Sequence, residues 1–259
     1  MTFKFNSGAG GSVKLNSRRF PSTGVSAYQP TTSGGGGGGF PTLNWYDIGQ
    51  GGSALFAGNA DSWMEYSDSG VFNFPGAFTI EWWQKATSEK PFPRIWQFGA
   101  YPSTSLGVSI EGNGQTFYFW ANGSPVAAAP LPVSIWGRTM HFAVVRAFDT
   151  LSIYANGKLV YGAPSSGAFG SGGNYLAIGR GGNSTSDGEA FAGYVTNLRM
   201  STTNRYTQEF TPSTVPLDSD ALTVFLFREP NTAIEGAWSG TTTNHNASSD
   251  SASPFPPQG

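Results

Sequence analysis

The chain has 259 residues, and 36 Gly with 17 Pro make about a fifth of it chain punctuation, a composition that excludes long helices. Charged residues reach only 12% while aromatics reach 15%, the reverse of a disordered chain. The formal net charge is −2 and the basic residues are scattered, so the electrostatic footprint for phosphate backbones is missing and nucleic acid is not an expected partner.

Residues 1–52 differ in character from the rest of the chain. Lys4, Lys14, Arg18 and Arg19 stand against the single acid Asp47, and six consecutive glycines run from Gly34 to Gly39. Such a tract behaves as a flexible coil spanning on the order of 15 Å. The segment reads either as a disordered leader or as an N-terminal arm whose alternating pieces, Phe3-Lys4-Phe5 and Val13-Lys14-Leu15, add to a partner's sheet edge.

From Ser53 the pattern is dense and β-like. Ala77–Gln84 places Phe78, Ile80 and Trp82 on one strand face and Thr79, Glu81 and Trp83 on the other. Further strands are expected at Arg94–Phe98, Leu106–Ile110, Gln115–Ala121, Thr139–Arg146, Leu151–Tyr154, Lys158–Tyr161, Tyr175–Gly179, Phe191–Met200 and Leu222–Phe227, each fenced by Gly, Pro, Asn or Ser. Asn156-Gly157 is the strongest hairpin signal, because a type I′ turn needs positive φ at both central residues. Gly112-Asn113-Gly114 closes an earlier hairpin in a looser way. Many short strands without helices read as an all-β, two-sheet antiparallel sandwich of jelly-roll type over residues 53–228. Residues 229–259 hold three acids and no Lys or Arg, and read as an extended C-terminal tail in which Trp238 docks on a surface.

Three blocks in order carry a family resemblance. The first runs from Leu55 to Tyr66, followed by Phe72-Asn73-Phe74 and Phe78–Trp83. Trp136, His141–Arg146 and Leu151–Val160, with its Asn156-Gly157-Lys158 hairpin, form the second. Tyr175–Arg180, Phe191–Met200, Tyr206, Phe210-Thr211-Pro212 and Val215-Pro216-Leu217 form the third. Together they resemble the laminin G-like, concanavalin A-like lectin/glucanase domains, in the version frequent in phage and large-virus structural proteins. The resemblance implies a concanavalin A-like sandwich, and with it a choice between glycan binding, glycoside hydrolysis and a purely structural role.

Hydrolysis is not expected. A retaining enzyme needs two carboxyl groups roughly 5 Å apart, and the resemblance implies a Glu-x-Asp-x-x-Glu strand. Glu81 lies in the corresponding aromatic strand, but its i+2 neighbour is Trp83, and the full Glu-x-Asp-x-x-Glu pattern occurs nowhere among the 16 acids. His141 and His245 follow no nucleophile-elbow pattern, and neither Gly34–Gly39 nor Gly170–Gly173 has the Lys-Ser/Thr ending of a phosphate loop. Zero Cys removes disulfides, thiolate metal sites and Cys nucleophiles.

Calcium is the remaining cofactor question. The loop Gly181–Glu189 offers Asn183, with Asp187 and Glu189 as carboxylates, where a strong site wants several converging on ~6 to 8 oxygens. No cofactor is therefore expected, with calcium at Asp187 and Glu189 the exception to test. Sugar binding without hydrolysis needs only an aromatic platform and a few amide or carboxylate groups. Candidates are Trp63, Trp83 and Trp120 with Asn122, Asn183 and Asp187. Arg146, Arg180 and Arg199 read as structural cations pairing with scarce acids such as Glu81.

The first expectation for function is a non-enzymatic virion structural protein, a minor capsid, tail or fibre component whose arm and tail bind neighbouring virion subunits. The alternative is a carbohydrate-binding adhesin recognising host-surface glycans. No apolar stretch approaches the ~18 residues of a membrane span, and the N-terminus lacks the apolar core of a secretion signal, so synthesis in a host cytoplasm and location in the virion are expected.

Overall fold

The computed structural model of the chain describes residues 39–46, 49–100, 106–165 and 167–257. Most of the N-terminal segment, including Phe3-Lys4-Phe5, Val13-Lys14-Leu15 and Gly34–Gly38, lies outside the described residues. No helix among the described residues is long and apolar enough to cross a membrane.

Punctuated, aromatic-rich runs form strands in chain order: β1 (Ser53–Ala57), β2 (Trp63–Tyr66), β3 (Asn73–Phe74), β4 (Phe78–Ala86), β5 (Arg94–Phe98), β6 (Leu106–Ile110), β7 (Thr116–Ala121), β8 (Ser124–Pro130) and β9 (Thr139–Ala147). They continue as β10 (Thr150–Ala155), β11 (Lys158–Pro164), β12 (Phe169–Gly170), β13 (Leu176–Ile178), β14 (Ala192–Ser201), β15 (Thr223–Phe227), β16 (Thr242–His245) and β17 (Ser248–Asp250). One sheet has the order β11-β10-β9-β4-β14-β1-β17 with β15 also on β14, eight strands in all. The other has seven, β16-β2-β13-β5-β6-β7-β8, and all strand pairings in both are antiparallel. The jelly-roll sandwich expected from the sequence is thus the fold.

Alternation builds the core between the sheets. Phe78, Ile80 and Trp82 of β4 face inward against Ile95, Trp96, Phe117, Phe119 and Phe142, all inaccessible to solvent. Trp82 stacks on Phe117 and Phe142 and meets Trp96 edge-on at 5.8 Å. Aromatic pairs of this kind add about 0.5–1.5 kcal/mol beyond the area they bury. Gly193, at φ 137, lets β14 pass the Lys85 carbonyl, which a Cβ would meet at 2.2 Å.

Strand β14 is shared along its length. Its first half, Ala192–Val195, pairs with β1 and its second half, Leu198–Ser201, with β15. Asn197, at φ 51, marks the changeover, and its Oδ1 accepts from Leu217 N at 2.6 Å.

Of the Asn-Gly turns, two have positive φ at both residues. Asn156-Gly157 has positive φ at both residues and joins β10 to β11, as the sequence indicates. Asn122-Gly123 does the same between β7 and β8, a hairpin the sequence reading missed because Ser124–Pro130 is too rich in Pro and Ala to read as a strand. Two flanking prolines suit an edge strand, and β8 is one.

Residues 229–257, set apart in the sequence as a tail, fold against their own sandwich. β16 pairs with β2 in one sheet and β17 with β1 in the other, so the ending clips both sheets along one edge. Trp238 packs on Tyr66 and Phe225, and its Nε1 donates to Ser67 O at 2.9 Å. Residues 40–46 lie on the eight-stranded sheet through bridges from Leu43 to Thr139 and from Tyr46 to Ser253.

Candidate functional site

Strand register defines a row across the outer face of the seven-stranded sheet: Thr243, Glu65, Ala177, Gln97, Gly107, Trp120 and Pro125. Ala177, Gln97 and Gly107 at its centre are buried, so the accessible parts lie at the two ends.

The β7 end is an aromatic shelf. Thr116, Tyr118 and Trp120 alternate outward along β7 and are half-buried, while Phe117 and Phe119 enter the core. Tyr118 and Trp120 sit 6.0 Å apart at 45°. The Arg94 guanidinium lies over the Trp120 ring at 5.0 Å, and Trp120 Nε1 donates to Ser109 Oγ at 2.8 Å, so the indole is held from two neighbouring strands. The small or ring-limited residues Pro125, Ala128 and Pro130 of β8 leave the shelf open on its edge side. Asn122 is exposed on the turn two residues beyond Trp120.

The β2 end is closed. Trp63 is 5% exposed. His245 of β16 stacks on it at 4.1 Å and 3°, and Arg180, beyond β13 on the other side of β2, lies over the ring at 3.9 Å. With neighbours stacked from both sides, Trp63 is not a platform for a ligand, contrary to expectation. Arg180 is itself tied to the Ala60 and Gly182 carbonyls rather than to an acid. Tyr175 stands beside this stack, where burial, and then the Glu65 charge, raise its hydroxyl above the ordinary tyrosine range, with Arg180 opposing.

The Gly181–Glu189 loop joins the two ends. Asp187 Oδ1 accepts from Ala60 N at 2.8 Å, and Glu189 faces Arg94 at 3.9 Å. Asn183 is exposed at the loop's first turn. The two carboxylates read as calcium candidates are therefore engaged with a backbone amide and a guanidinium. Among the described residues no group of three or more His, Asp or Glu converges in a way that suits a metal. The donor set does not fit a calcium cage.

The opposite sheet carries the charge network. Glu81 faces outward from β4 yet is 0% exposed. Arg199 holds its Oε1, Tyr206 donates to its Oε2 at 2.7 Å, and His141 Nε2 lies 3.4 Å from the same oxygen. Tyr206 stacks on Phe210 at 3.6 Å, so the segment after β14 roofs the quartet. Burial raises the Glu81 pKa, but the His141 hydrogen bond and charge, the Arg199 charge and the Tyr206 hydroxyl outweigh it and hold the carboxyl at about 2. Trp83, another platform candidate, is 3% exposed and packs edge-on against His141 and Phe255.

A family model described as the concanavalin A-like lectin/glucanases superfamily matches residues 57–211. The chain belongs to this superfamily. No curated protein matches it by sequence. Among solved structures it is similar to a putative carbohydrate binding protein from Bacteroides ovatus, at 16% identity and TM-score 0.56 over 79% of this chain and 60% of that one. It spans less than two thirds of that protein. A heptameric SAP-like pentraxin from Limulus polyphemus matches at 14% identity and TM-score 0.55, over 76% of this chain and 94% of the pentraxin. At these identities the likeness is one of fold.

In this member of the superfamily, the one acid on the inner aromatic strand, Glu81, is sealed in an ion-pair network with both oxygens used. Of the residues singled out from sequence, the structure leaves Trp120 half-exposed on the outer face of one sheet, Asn122 exposed on the adjoining turn, and Asn183 and Asp187 exposed on the 181–189 loop, and it closes Trp63 off. Tyr118, Ser109 and Arg94 were missed. Tyr118 was legible from the alternation of residues 116–120, whereas Arg94 and Ser109 come from other strands and carry no local signal.

Proposed function

We propose that the protein is a non-catalytic carbohydrate-binding module whose ligand lies on the Tyr118–Trp120 shelf. Two adjacent half-exposed rings, with Trp120 held by Arg94 and Ser109, carry this reading. Sugar C–H groups stack on such rings, and a side chain held on two sides loses little freedom when it binds. The fold likeness to a protein described as carbohydrate binding supports the same reading. The engagement of Glu81 argues against a hydrolase.

The test is a glycan array followed by titration of the best ligand against Trp120→Ala. A buried-face aromatic anchor contributes about 2 kcal/mol or more, so affinity is expected to fall at least tenfold with the thermal midpoint nearly unchanged. A blank array, or equal binding by the variant, overturns the proposal.

A further inference from the structure

A second feature lies on the other sheet. Among the described residues, every Lys and Arg side chain except two is ion-paired or hydrogen-bonded within the chain. The two exceptions, Lys85 and Arg138, line the same cavity of about 250 Å³. In a chain with so few charges that coincidence is informative.

The cavity lies between residues 40–45 and the outer face of the eight-stranded sheet, and local register brings its parts together. Lys85 of β4 stands directly opposite Thr139 of β9 and Tyr194 of β14. Arg138 precedes Thr139, which bridges to Leu43. Tyr194 packs against Trp45 at 5.5 Å. Trp45 Nε1 is buried in this region and finds no acceptor among the described residues. No acidic side chain among the described residues lines the space, while Phe40, Leu43 and Val133 supply apolar wall.

We propose that this cavity binds a small organic anion, a carboxylate or sulfate group carried on a body with an apolar face. Lys85 and Arg138 would compensate the charge, and the Trp45 N–H would donate to an anion oxygen. The apolar wall would take the body. Neither cation is then held by a partner among the described residues that a ligand must displace, which removes one usual cost of binding. This site is separate from the Tyr118–Trp120 shelf and does not rest on the carbohydrate reading.

Isothermal titration at fixed ionic strength tests it with four probes: benzoate and glucuronate as acids, benzyl alcohol and glucose as their neutral counterparts. At least one acid is expected to bind and its neutral counterpart not. Preference for benzoate points to an apolar carboxylate as the source, and preference for glucuronate to an acidic sugar. Lys85→Gln with Arg138→Gln should weaken the acid at least tenfold, and Trp45→Phe should weaken it by a smaller factor. Lys85→Arg, which keeps the charge, should retain binding and serves as the control for folding. No heat with either acid up to about 10 mM, equal binding of the neutral probes, or unchanged affinity in the double variant overturns the proposal.

Discussion

Arg199 closes on Glu81 from the neighbouring strand, donating through Nε at 3.0 Å and Nη2 at 2.6 Å to one carboxylate oxygen. The pair sits under Tyr206 and Phe210, so the segment that leaves β14 is fastened to the sheet by a buried charge contact. Breaking a buried pair is costly because the surviving charge is left without its partner, whereas removing both is far cheaper.

Glu81→Gln and Arg199→Met are therefore each expected to destabilise the fold by about 3 kcal/mol, and the double variant by much less than the sum. Urea unfolding midpoints of the four proteins check this. Strict additivity would mean that the two residues do not act together.

Acid should act through the same carboxyl. The Glu81 pKa is depressed to about 2 in the folded chain, so its contribution is complete above the unfolded glutamate value near ~4.3 and is lost as pH falls towards 2. Thermal midpoints measured from pH 6 to pH 2 should decline in that window, and the decline should be shallower in Glu81→Gln. An equal slope in both proteins would remove Glu81 as the origin.

Gly157→Ala tests the hairpin and its cover at once. The residue has φ 77, and a Cβ there would meet the Phe210 carbonyl at 1.8 Å. Strain and displacement of the 202–217 segment together are expected to cost more than ~2 kcal/mol, read by chemical denaturation. A loss of only a few tenths would show that the segment gives way freely.

Phe255→Ala tests whether the chain ending belongs to the fold. Phe255 is 0% exposed and packs on Trp83. Truncation of such a ring costs about 3–5 kcal/mol, a fall of the thermal midpoint on the order of 10 °C. An unchanged midpoint would mean that the ending only rests on the sheet.

Arg94→Met separates holding Trp120 from contacting the ligand. If Arg94 only fixes the indole, neutral-glycan affinity should fall by a few fold, less than in Trp120→Ala, and Trp120→Phe should keep part of the binding. A loss equal to that of Trp120→Ala would place Arg94 in direct contact with the sugar.

The strands were legible because their cues are local. Phe78, Ile80 and Trp82 alternate into the core as their spacing requires, and Asn156-Gly157 turns where the sequence places it. Asn156 also has a duty no turn rule contains, since its side chain accepts from His141 N and donates to the Pro41 carbonyl. The ending was harder to read, because Thr242–His245 and Ser248–Asp250 are polar and strand-like only beside the edges they complete.

The aromatic platform shows the division most clearly. Trp63 and Trp120 are both platform candidates from sequence, and strand alternation in the structure puts both on the outer face of one sheet. Composition and periodicity alone determined the all-β sandwich, its main hairpins and the scarcity of carboxylates. Only the tertiary structure decided that His245 and Arg180, remote in sequence, shut Trp63 while Trp120 stays half open. Periodicity fixes the side of a strand on which a residue stands, but what covers that side arrives from distant parts of the chain.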